Sequence, residues 1–363
     1  MKILLASVLK RRVAEDVSAS RSRIIYQLAS GLVKKGHEVS LLGTGDSAID
    51  GVRIIPIIPK SFVDLPKAEN PFYAETSHLV RMSRKIEEIG NDFDIIHNHT
   101  YPEFINLMAI SGTKTPMVTT VHAQATPELD DVLSAFPDAK LISISKAHMS
   151  EFKKAKFIKC VYNGVDTNTY AYSEGNEDYM LWLGRLSKAK KNDGSFLDPK
   201  GVTWAIKLAK ATGQKLLISG SVEDQEFYDK EIKPNLGDNI RWYGPISPEQ
   251  KLERADVIKI MQRAKVFLMT INWNEPFGLV MAEAMSCGTP VIGFNRGAVS
   301  EVIKDSVTGF VVDPSRGVDG LVEAMDKLAS ISSKDCRAHI LDNFSIENMV
   351  NNYESVYSEV TAK

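Results

Sequence analysis

The chain has 363 residues, of which 44% are hydrophobic and 25% are charged, and its formal net charge is -2. This composition is ordinary for a soluble globular protein, and the length exceeds what one hydrophobic core fills, so we expect two domains rather than a disordered or fibrous chain. The small net charge offers no long-range attraction to nucleic acid or to an anionic membrane.

Cellular location and metal content can be addressed from the same sequence. The basic cluster of MKILLASVLKRRV follows its apolar run, which is the wrong order for a secretion signal. No apolar run reaches the roughly 20 residues of a membrane span. The three cysteines (160, 287 and 336) are far apart and lack metal-ligand spacing, which is typical of a reducing compartment. We therefore predict a cytoplasmic protein, at most peripherally associated with membranes, without a metal site.

The first half of the chain alternates short β-rich runs with helix-length segments. After a first strand at Ile3 to Val8, the strands are HEVSLLG, DIIHNH, PMVTTVH, KLISIS and FIKCVYNG. SRSRIIYQLASGLVKKG carries apolar residues at helical spacing and stops at Gly36. Such alternation predicts a parallel sheet covered by helices.

The pattern restarts after a polar, turn-rich passage near residues 165 to 178. The second set of strands is MLWLGRLS, KLLISGS, IRWYGPI, AKVFLMT, TPVIGF and GFVVD. SIENMVNNYESVYSEV has helical periodicity and predicts a closing helix. We expect an α/β protein with a Rossmann-like domain at 1–168, a second one at 169–340, and a C-terminal helix at 341–363 that packs back toward the first domain.

Two carboxylates, Glu275 and Glu283, lie in the otherwise apolar stretch NEPFGLVMAEAMSCGTPVIGFN. VFLMT predicts a strand, INWNEPFG a loop at its carboxyl end, and LVMAEAMSCG a helix ended by Gly288. Ligands of doubly wound folds bind outside the carboxyl ends of the strands, so Glu275 is expected in a ligand crevice. The alternative is that Glu275 is an acid at a helix entry and that Glu283 is paired or solvated.

EPFGLVMAEAMSCGTPVI resembles the Glu-x7-Glu motif of retaining family-four glycosyltransferases of GT-B fold (glycosyl transferases group 1). VHA, VYNGVD, LGRLS, PKG, NRGAVSEVI and VTGFVVD follow one another in that family's order. Each piece is weakly specific alone, whereas the ordered set is highly specific. The resemblance implies two Rossmann-like domains facing a central cleft, transfer of a hexose from a UDP- or GDP-linked donor to an acceptor hydroxyl, and no cofactor or essential metal.

The resemblance also implies roles for individual residues. Glu283 would accept hydrogen bonds from the ribose, and Glu275 would hold the hexose. Donor binding would further involve Asn163, Gly184 and the backbone amides of Phe277, Gly278 and Leu279. Arg185 and Lys200 match the cations that stabilise the departing diphosphate. KAKKNDGSFLD lengthens the connection before PKG, so Lys188, Lys190 and Lys191 compete with Lys200, or form a solvated loop.

The acceptor side is less regular. His122 ends a strand and matches the family's pocket histidine, which would contact the transferred sugar or orient the acceptor, although a lone histidine is more often structural. His97 and His99 end a neighbouring strand. The first loop lacks the family's Gly-Gly turn and instead has Arg11, Arg12, Arg21 and Arg23. These arginines would recognise an anionic acceptor, replace amide contacts to the diphosphate, or form a solvated basic surface.

Two other functions remain open at this point. One is a sugar-nucleotide epimerase of GT-B architecture, and the other is a nucleotide-sugar-binding protein without catalysis, because binding residues alone do not prove turnover. A dinucleotide-dependent oxidoreductase is disfavoured since ASVLKRRV contains no Gly-x-Gly-x-x-Gly after the first strand.

Overall fold

The computed structural model describes residues 1–174, 178–246 and 252–362. Contacts divide the chain into two units of similar size. Unit 1 comprises Met1–Gly164 together with the C-terminal segment that begins at Ile346, and unit 2 comprises Val165–Ser345.

Unit 1 contains a seven-stranded parallel sheet in the order β3-β2-β1-β4-β5-β6-β7. The strands are β1 Lys2–Ala6, β2 Glu38–Thr44, β3 Val52–Ile58, β4 Ile95–Asn98, β5 Met117–Val121, β6 Lys140–Ser143 and β7 Phe157–Cys160. The central strands β4 and β5 are buried along their whole length, and β1 is buried apart from Lys2, which explains their nearly continuous apolar sequence.

The helices of unit 1 connect and cover this sheet. With labels in chain order, they are α1 Ser20–Lys34, α2 Pro71–Ile89, α3 Pro127–Ser134, α4 Lys146–Glu151 and the C-terminal α12 Ile346–Thr361. A 3-10 helix at Glu103–Gly112 follows β4. Helix α12 packs against α1 and buries one side of its amphipathic sequence, including Tyr353 and Tyr357. The C-terminal helix is therefore part of the core of unit 1.

Unit 2 contains a six-stranded parallel sheet in the order β10-β9-β8-β11-β12-β13. The strands are β8 Met180–Leu186, β9 Leu216–Val222, β10 Ile240–Tyr243, β11 Val266–Met269, β12 Val291–Phe294 and β13 Gly309–Val312. The helices are α5 Val202–Thr212, α6 Gln225–Phe227, α7 Arg254–Arg263, α8 Leu279–Ser286, α9 Val299–Val302, α10 Gly317–Asp326 and α11 Ser333–Asn343. The α/β prediction of two doubly wound parallel sheets is confirmed.

The structure differs from the sequence prediction at three places. Strand β3 was not predicted; it contains Pro56, which an edge strand tolerates. The division between the units falls at Gly164, whose amide contacts Met349 Sδ, and Val165, whose amide donates to Phe344 O. The division thus lies before the predicted residue 168, and the C-terminal segment of unit 1 begins at Ile346 rather than at 341. Of the predicted connecting passage at 165–178, residues 175–177 lie outside the described residues.

Two further features concern the chain as a whole. Within the described residues, no helix combines the length and the apolar sequence needed to cross a bilayer. The three cysteines are free thiols, and burial raises the pKa of Cys287 and of Cys336 to about 12. A thiol with so high a pKa is a poor nucleophile at neutral pH.

The contact between α1 and α12 can be tested at Gly31. A Cβ at Gly31 would lie 2.4 Å from Val350 Cγ2. Alanine is favoured over glycine in a helix by about 1 kcal/mol, but overpacking costs about 1–3 kcal/mol. We expect Gly31→Ala to lower the free energy of unfolding by about 1 kcal/mol, measured by urea denaturation. In a Val350→Ala background the same change should be neutral or stabilising; equal destabilisation in both backgrounds would contradict the contact.

Candidate active site

The candidate site of unit 2 begins where β8 and β9 end. Gly184 and Gly220 lie in register on these strands. Gly220 has a φ of +146°, and a Cβ there would lie 1.7 Å from Gly184 O. The two strand ends therefore approach each other more closely than any side chain allows. Gly184 also lies beside Lys200, because a Cβ at Gly184 would be 3.3 Å from Lys200 Cβ.

The segment around Lys200 is rigidly held at the start of α5. Asp198 accepts hydrogen bonds from the amides of Gly201, Val202 and Thr203 at 2.8–3.2 Å, as an N-terminal cap does. Trp182 Nε1 donates to Lys200 O at 3.0 Å. Backbone and cap together fix the position from which the lysine side chain extends.

Lys200 and Glu275 are in direct contact. Lys200 Nζ donates to Glu275 Oε2 at 2.8 Å, and both side chains are largely shielded from solvent. The same ammonium lies 4.5 Å from the centroid of the Trp273 ring, within the range of a cation–π interaction. The structure thus brings together the cation and the carboxylate that the sequence analysis selected from segments 75 residues apart.

The loop that carries Glu275 is anchored on both sides. Asn272 accepts from Trp204 Nε1 at 3.0 Å, and its amides donate to Pro199 O and Asp198 O, both at 2.8 Å. On the other side, the amide of Ala298 donates to Glu275 O at 2.9 Å. A Cβ at the preceding Gly297 would lie 2.3 Å from Glu275 O, so only glycine allows this approach. The Glu275 carboxylate is consequently aimed by backbone contacts.

The remaining predicted donor residues follow this loop. Gly278 caps α8 in a left-handed conformation, with φ +83°, and Leu279 begins the helix. Phe277 is buried against Phe344. Glu283 is buried in α8, 6% exposed, among apolar neighbours. Amides at the first turn of α8 offer donors to an anion or a hydroxyl oxygen.

The competing lysines differ from Lys200 in their surroundings. Lys190 pairs with Glu226 at 2.6 Å and lies 4.9 Å from the Phe196 ring. A bridge between Lys190 and Phe196 folds the inserted loop into a small turn. Lys188 and Lys191 are exposed. Arg185 is also exposed, by 68%, with Glu223 at 3.4 Å. Lys200 is therefore built into the site, whereas the Arg185 side chain reaches into solvent.

In unit 1, the half-buried His122 adjoins a network of buried histidine, tyrosine and threonine side chains. His122 Nε2 lies 3.0 Å from His99 Nδ1, and His99 Nε2 lies 3.2 Å from His97 Nδ1. His97 Nδ1 also contacts Tyr357 Oη at 2.6 Å. His97 Nε2 contacts Thr120 Oγ1 at 2.8 Å, and Thr120 Oγ1 contacts Tyr353 Oη at 3.0 Å. Two strand ends and α12 thus form one continuous network.

Burial keeps the three histidines of this network neutral. It lowers the pKa of His99 to about 3, with the Arg21 charge as a further cause. Burial likewise lowers the pKa of His97 and of His122 well below the usual value, and neighbouring rings and, for His122, Arg21 add to the effect. None of the described residues belongs to a group of three or more His, Cys, Asp or Glu with metal-binding geometry.

An ion pair lies beside the network. Arg21 Nη2 donates to Glu103 Oε1 at 3.2 Å and Arg21 Nη1 to Thr100 O at 3.1 Å. Glu103 Oε1 also accepts from the amides of His122 and Ala123. Burial lowers the pKa of Arg21, although the Glu103 charge opposes this. Arg21 thereby fixes the backbone at His122.

The four arginines of the first loop consequently do not form one surface cluster. Arg21 is half-buried and pairs with Glu103, and Arg12 pairs with Asp16. Arg11 lies in the loop after β1 and Arg23 in α1. Asn163, which the resemblance assigned to donor binding, is 5% exposed in unit 1, whereas the other predicted donor residues lie in unit 2.

Sequence analysis missed several residues that organise these sites. Trp273, Asp198, Glu103, Tyr353 and Tyr357 were not selected as functional. Asp198 lies three positions before Gly201, and an acidic residue just before a helix is a recognisable capping signal. Trp273 lies two positions before Glu275, in the same predicted loop. Tyr353 and Tyr357 contributed only to the helical periodicity of their segment. Their hydrogen-bond partners, Thr120 and His97, lie more than 230 residues away in the sequence, so no local pattern connects them.

Two family profiles match the chain. The family described as "Glycosyl transferases group 1" matches residues 173–340, and "Glycosyltransferase Family 4" matches residues 22–169. The putative glycosyltransferase YtcC of Bacillus subtilis is 25% identical, and the similarity covers 82% of this chain and 81% of YtcC. The phosphatidyl-myo-inositol mannosyltransferase of Mycolicibacterium smegmatis is 25% identical over 85% of this chain and 81% of its own.

Solved structures show the same architecture. Sucrose-phosphate synthase of Thermosynechococcus elongatus superposes with a TM-score of 0.77 at 19% identity, covering 99% of both chains. HepE of Anabaena superposes with a TM-score of 0.71 at 18% identity, covering 99% of this chain and 100% of its own. The fold is GT-B, and the chain belongs to the group 1 glycosyltransferases.

The cation–π contact can be tested with two variants of one residue. Trp273→Leu removes the ring under Lys200, whereas Trp273→Phe keeps an aromatic face. A cation–π contact contributes about 0.5–1 kcal/mol at exposed sites and more when desolvated. We expect the dissociation constant of a nucleoside diphosphate to rise about two- to tenfold for Trp273→Leu and less for Trp273→Phe, measured by calorimetry. Identical constants for the two variants would exclude a role for the ring face.

The buried histidines predict a loss of stability in mild acid. A histidine whose pKa is lower in the folded state stabilises the fold above its unfolded pKa, near 6.5, and this stabilisation is lost as pH falls below that value. Each neutral buried histidine contributes a slope of up to about 1.4 kcal/mol per pH unit. We expect the free energy of unfolding, measured by urea denaturation with far-ultraviolet circular dichroism, to fall between pH 7 and 5. His99→Gln should make the dependence of this free energy on pH less steep.

Tryptophan fluorescence supplies an internal control, because all four tryptophans lie in unit 2. The urea midpoint of unit 2, followed by tryptophan fluorescence, should depend less on pH than the urea midpoint of unit 1. An unchanged slope in His99→Gln would contradict the assignment.

Proposed function

We propose that this group 1 glycosyltransferase is a retaining hexosyltransferase that moves a hexose from a UDP- or GDP-linked donor to an acceptor hydroxyl. The observation that carries the proposal is the contact between Lys200 Nζ and Glu275 Oε2 at 2.8 Å. A nucleotide sugar presents a diphosphate and a hydroxyl-rich ring side by side, which calls for a cation and a carboxylate side by side.

Neighbouring groups in unit 2 complete the donor site. The amides of Phe277, Gly278 and Leu279 supply hydrogen bonds to the sugar and the diphosphate. Arg185, which is largely exposed, supplies a second cation for the diphosphate. Glu283 receives the ribose hydroxyls. Since Arg185 and Lys200 balance the charge of the leaving group, the proposal requires no metal or cofactor.

The similar proteins support a nucleotide sugar as the donor. Structures of HepE are described as complexes with UDP, with UDP-glucose, and with UDP and glucose. The relatives include a mannosyltransferase that acts on phosphatidyl-myo-inositol. These names span different sugars and acceptors, so the proposal stops at the class of a hexose donor.

The chemical step is a same-face substitution at the anomeric carbon. The acceptor oxygen forms a bond to this carbon as the bond to the β-phosphate oxygen breaks. The proton of the acceptor hydroxyl passes to the departing phosphate oxygen. Lys200 and Arg185 stabilise the negative charge that develops on the diphosphate, and Glu275 orients the ring.

Acceptor recognition is assigned to unit 1. His122 contacts the transferred sugar or orients the acceptor. Among the loop arginines, Arg11, Arg12 and Arg23 are the candidates for an anionic group, whereas Arg21 is held by Glu103 beside His122. An anion at Arg12 would compete with Asp16. An anionic acceptor would bind more weakly as salt rises.

The experiment is a donor screen for release of nucleoside diphosphate, followed by mass spectrometry and anomeric analysis of the product. Transfer with retained configuration supports the proposal. Interconversion of donor epimers without transfer would identify an epimerase, and binding without any turnover would identify a non-catalytic protein.

The two glutamates should separate turnover from binding. Glu275→Gln should reduce kcat about 100-fold, because the hexose loses a charged hydrogen-bond acceptor in the transition state. Binding of nucleoside diphosphate should be unchanged or tighter, since Lys200 loses its competing partner. Glu283→Ala should instead raise the donor dissociation constant about tenfold or more.

Glu226→Gln is a matched control, since this exposed carboxylate pairs with Lys190 and Lys230 in the same unit. It should leave both kcat and donor binding near the wild-type values. Full turnover in Glu275→Gln would overturn the assignment.

A further inference from the structure

Arg296 lies directly beside the loop that carries Glu275. It follows β12, which is the parallel neighbour of β11 in the sheet of unit 2. The next residue, Gly297, forms an isolated parallel bridge with Glu275. Adjacent strands lie about 4.7–4.9 Å apart, so an arginine on the loop after β12 is within reach of a ligand held at Glu275. The sequence analysis did not select Arg296, although it belongs to the motif NRGAVSEVI.

The guanidinium of Arg296 has no counter-ion. Among the described residues, this side chain forms no ion pair and no hydrogen bond. Its Nε is buried, whereas the side chain as a whole is partly exposed. In the same unit, by contrast, Arg316 pairs with Glu323, and Arg337 donates to Tyr170 O. A buried donor without an acceptor costs about 1–3 kcal/mol, so Arg296 requires an acceptor from solvent or from a ligand.

A second buried donor without an acceptor lies in the same site. Trp273 Nε1 has no hydrogen-bond partner, and the Trp273 ring contacts Lys200. Within the described residues of unit 2, Trp273 Nε1 and Arg296 Nε are the buried side-chain polar atoms that lack a partner, and both are donors. The corresponding atoms in the described part of unit 1 are all oxygens. The surroundings of Glu275 therefore favour a ligand group that only accepts hydrogen bonds, such as a diphosphate.

The charges of the donor site favour the same ligand. Lys200 contacts Glu275 at 2.8 Å, and Arg185 lies 3.4 Å from Glu223, so a carboxylate offsets part of the charge of each of these cations. Arg296 differs from both, because it has no carboxylate partner among the described residues. Its guanidinium stays charged at physiological pH and can bind two phosphate oxygens at once. Arg296 thus supplies positive charge that the protein itself leaves uncompensated.

We propose that Arg296 is a third cation of the donor site and binds the diphosphate of the nucleotide sugar. The identity of this ligand rests on the proposed function, which assigned only Arg185 and Lys200 to the diphosphate. Negative charge grows on the diphosphate as its bond to the anomeric carbon breaks, and Arg296 stabilises this charge together with the other two cations. Loss of Arg296 therefore weakens binding of the diphosphate and slows the transfer step.

The binding test uses inorganic pyrophosphate, UDP and GDP as probes, measured by calorimetry on the full chain. Pyrophosphate contains the diphosphate alone, so it reports this contact whatever the base and the sugar of the natural donor. We expect Arg296→Gln to raise the dissociation constant of each probe that the wild type binds by about 10- to 100-fold, the size of a hydrogen bond to a charged group. Arg296→Lys keeps the charge but loses the bidentate geometry, so its constants should be intermediate.

Arg241→Gln is the matched control. Arg241 is an exposed arginine of the same unit, at the amino end of β10, where it donates to Asp238 O. Its replacement removes the same charge away from the carboxyl ends of the strands and should change the constants less than twofold. Urea denaturation verifies that each variant folds. Equal constants for the wild type and Arg296→Gln would overturn the proposal, as would failure of the wild type to bind any of the three probes.

Ionic strength provides a readout that a purely structural role of Arg296 would not change. Salt screens the attraction between a cation and the diphosphate. The dissociation constant of pyrophosphate should therefore rise more steeply with salt in the wild type than in Arg296→Gln. Equal salt dependence in the two proteins would contradict a direct charge contact.

A comparison of two donors separates the diphosphate from a charged sugar as the ligand of Arg296. UDP-glucose and UDP-glucuronate carry the same diphosphate, but only UDP-glucuronate carries a carboxylate on its sugar. Similar losses of affinity for both donors in Arg296→Gln support the proposal. A loss confined to UDP-glucuronate would place the anion on the sugar and overturn the assignment to the diphosphate.

The kinetic test addresses the transfer step. At saturating donor, we expect kcat to fall about tenfold or more in Arg296→Gln, because the diphosphate carries more charge in the transition state than in the ground state. Arg296→Lys should recover part of this loss. Weaker binding with unchanged kcat would overturn the role in the transition state. Binding of pyrophosphate by a wild type that transfers no sugar would refute the proposed function and leave the contact between Arg296 and the diphosphate standing.

Discussion

The ion pair between Lys200 and Glu275 depends on how parallel strands end. The carboxyl ends of parallel strands lie at one edge of the sheet, so loops distant in sequence meet there. In unit 2 the loop before α5 and the loop after β11 meet in this way. Asp198, Asn272 and Trp204 connect them by hydrogen bonds, and Trp182 ties the first of these loops to β8. The charged side chains are positioned because their backbones are fixed.

Close backbone approach is the second requirement of this site. Gly220 lets β9 approach β8 at Gly184, and Gly297 lets its own loop approach the backbone of Glu275. In both places a Cβ would overlap a carbonyl oxygen of the neighbouring segment. These glycines therefore have a steric role in holding the loops together, which accounts for their presence next to charged residues.

Unit 1 achieves rigidity by a different means. Its buried groups are neutral histidines and phenols that satisfy one another, and one ion pair, Arg21–Glu103, that is held by backbone groups. Such a network is costly to leave incomplete in a medium of low dielectric, so removing one member affects the others. Helix α12 closes this network, because Tyr357 contacts His97 and Tyr353 contacts Thr120.

The sequence by itself determined the fold class and selected candidate residues for the site. Apolar runs and helical spacing predicted both parallel sheets, apart from the Pro-containing edge strand β3. Burial on two faces imposes a continuous apolar run on a strand, and burial on one face imposes helical spacing on a helix, so both patterns are recognised within one segment. Ordered motifs identified Lys200, Glu275 and His122. Only the tertiary structure decided that Lys200 rather than Lys190 meets Glu275, that Arg21 pairs with Glu103, and that Tyr357 contacts His97. These are contacts between distant segments, and a periodicity within one segment carries no information about the atoms that another segment brings to it.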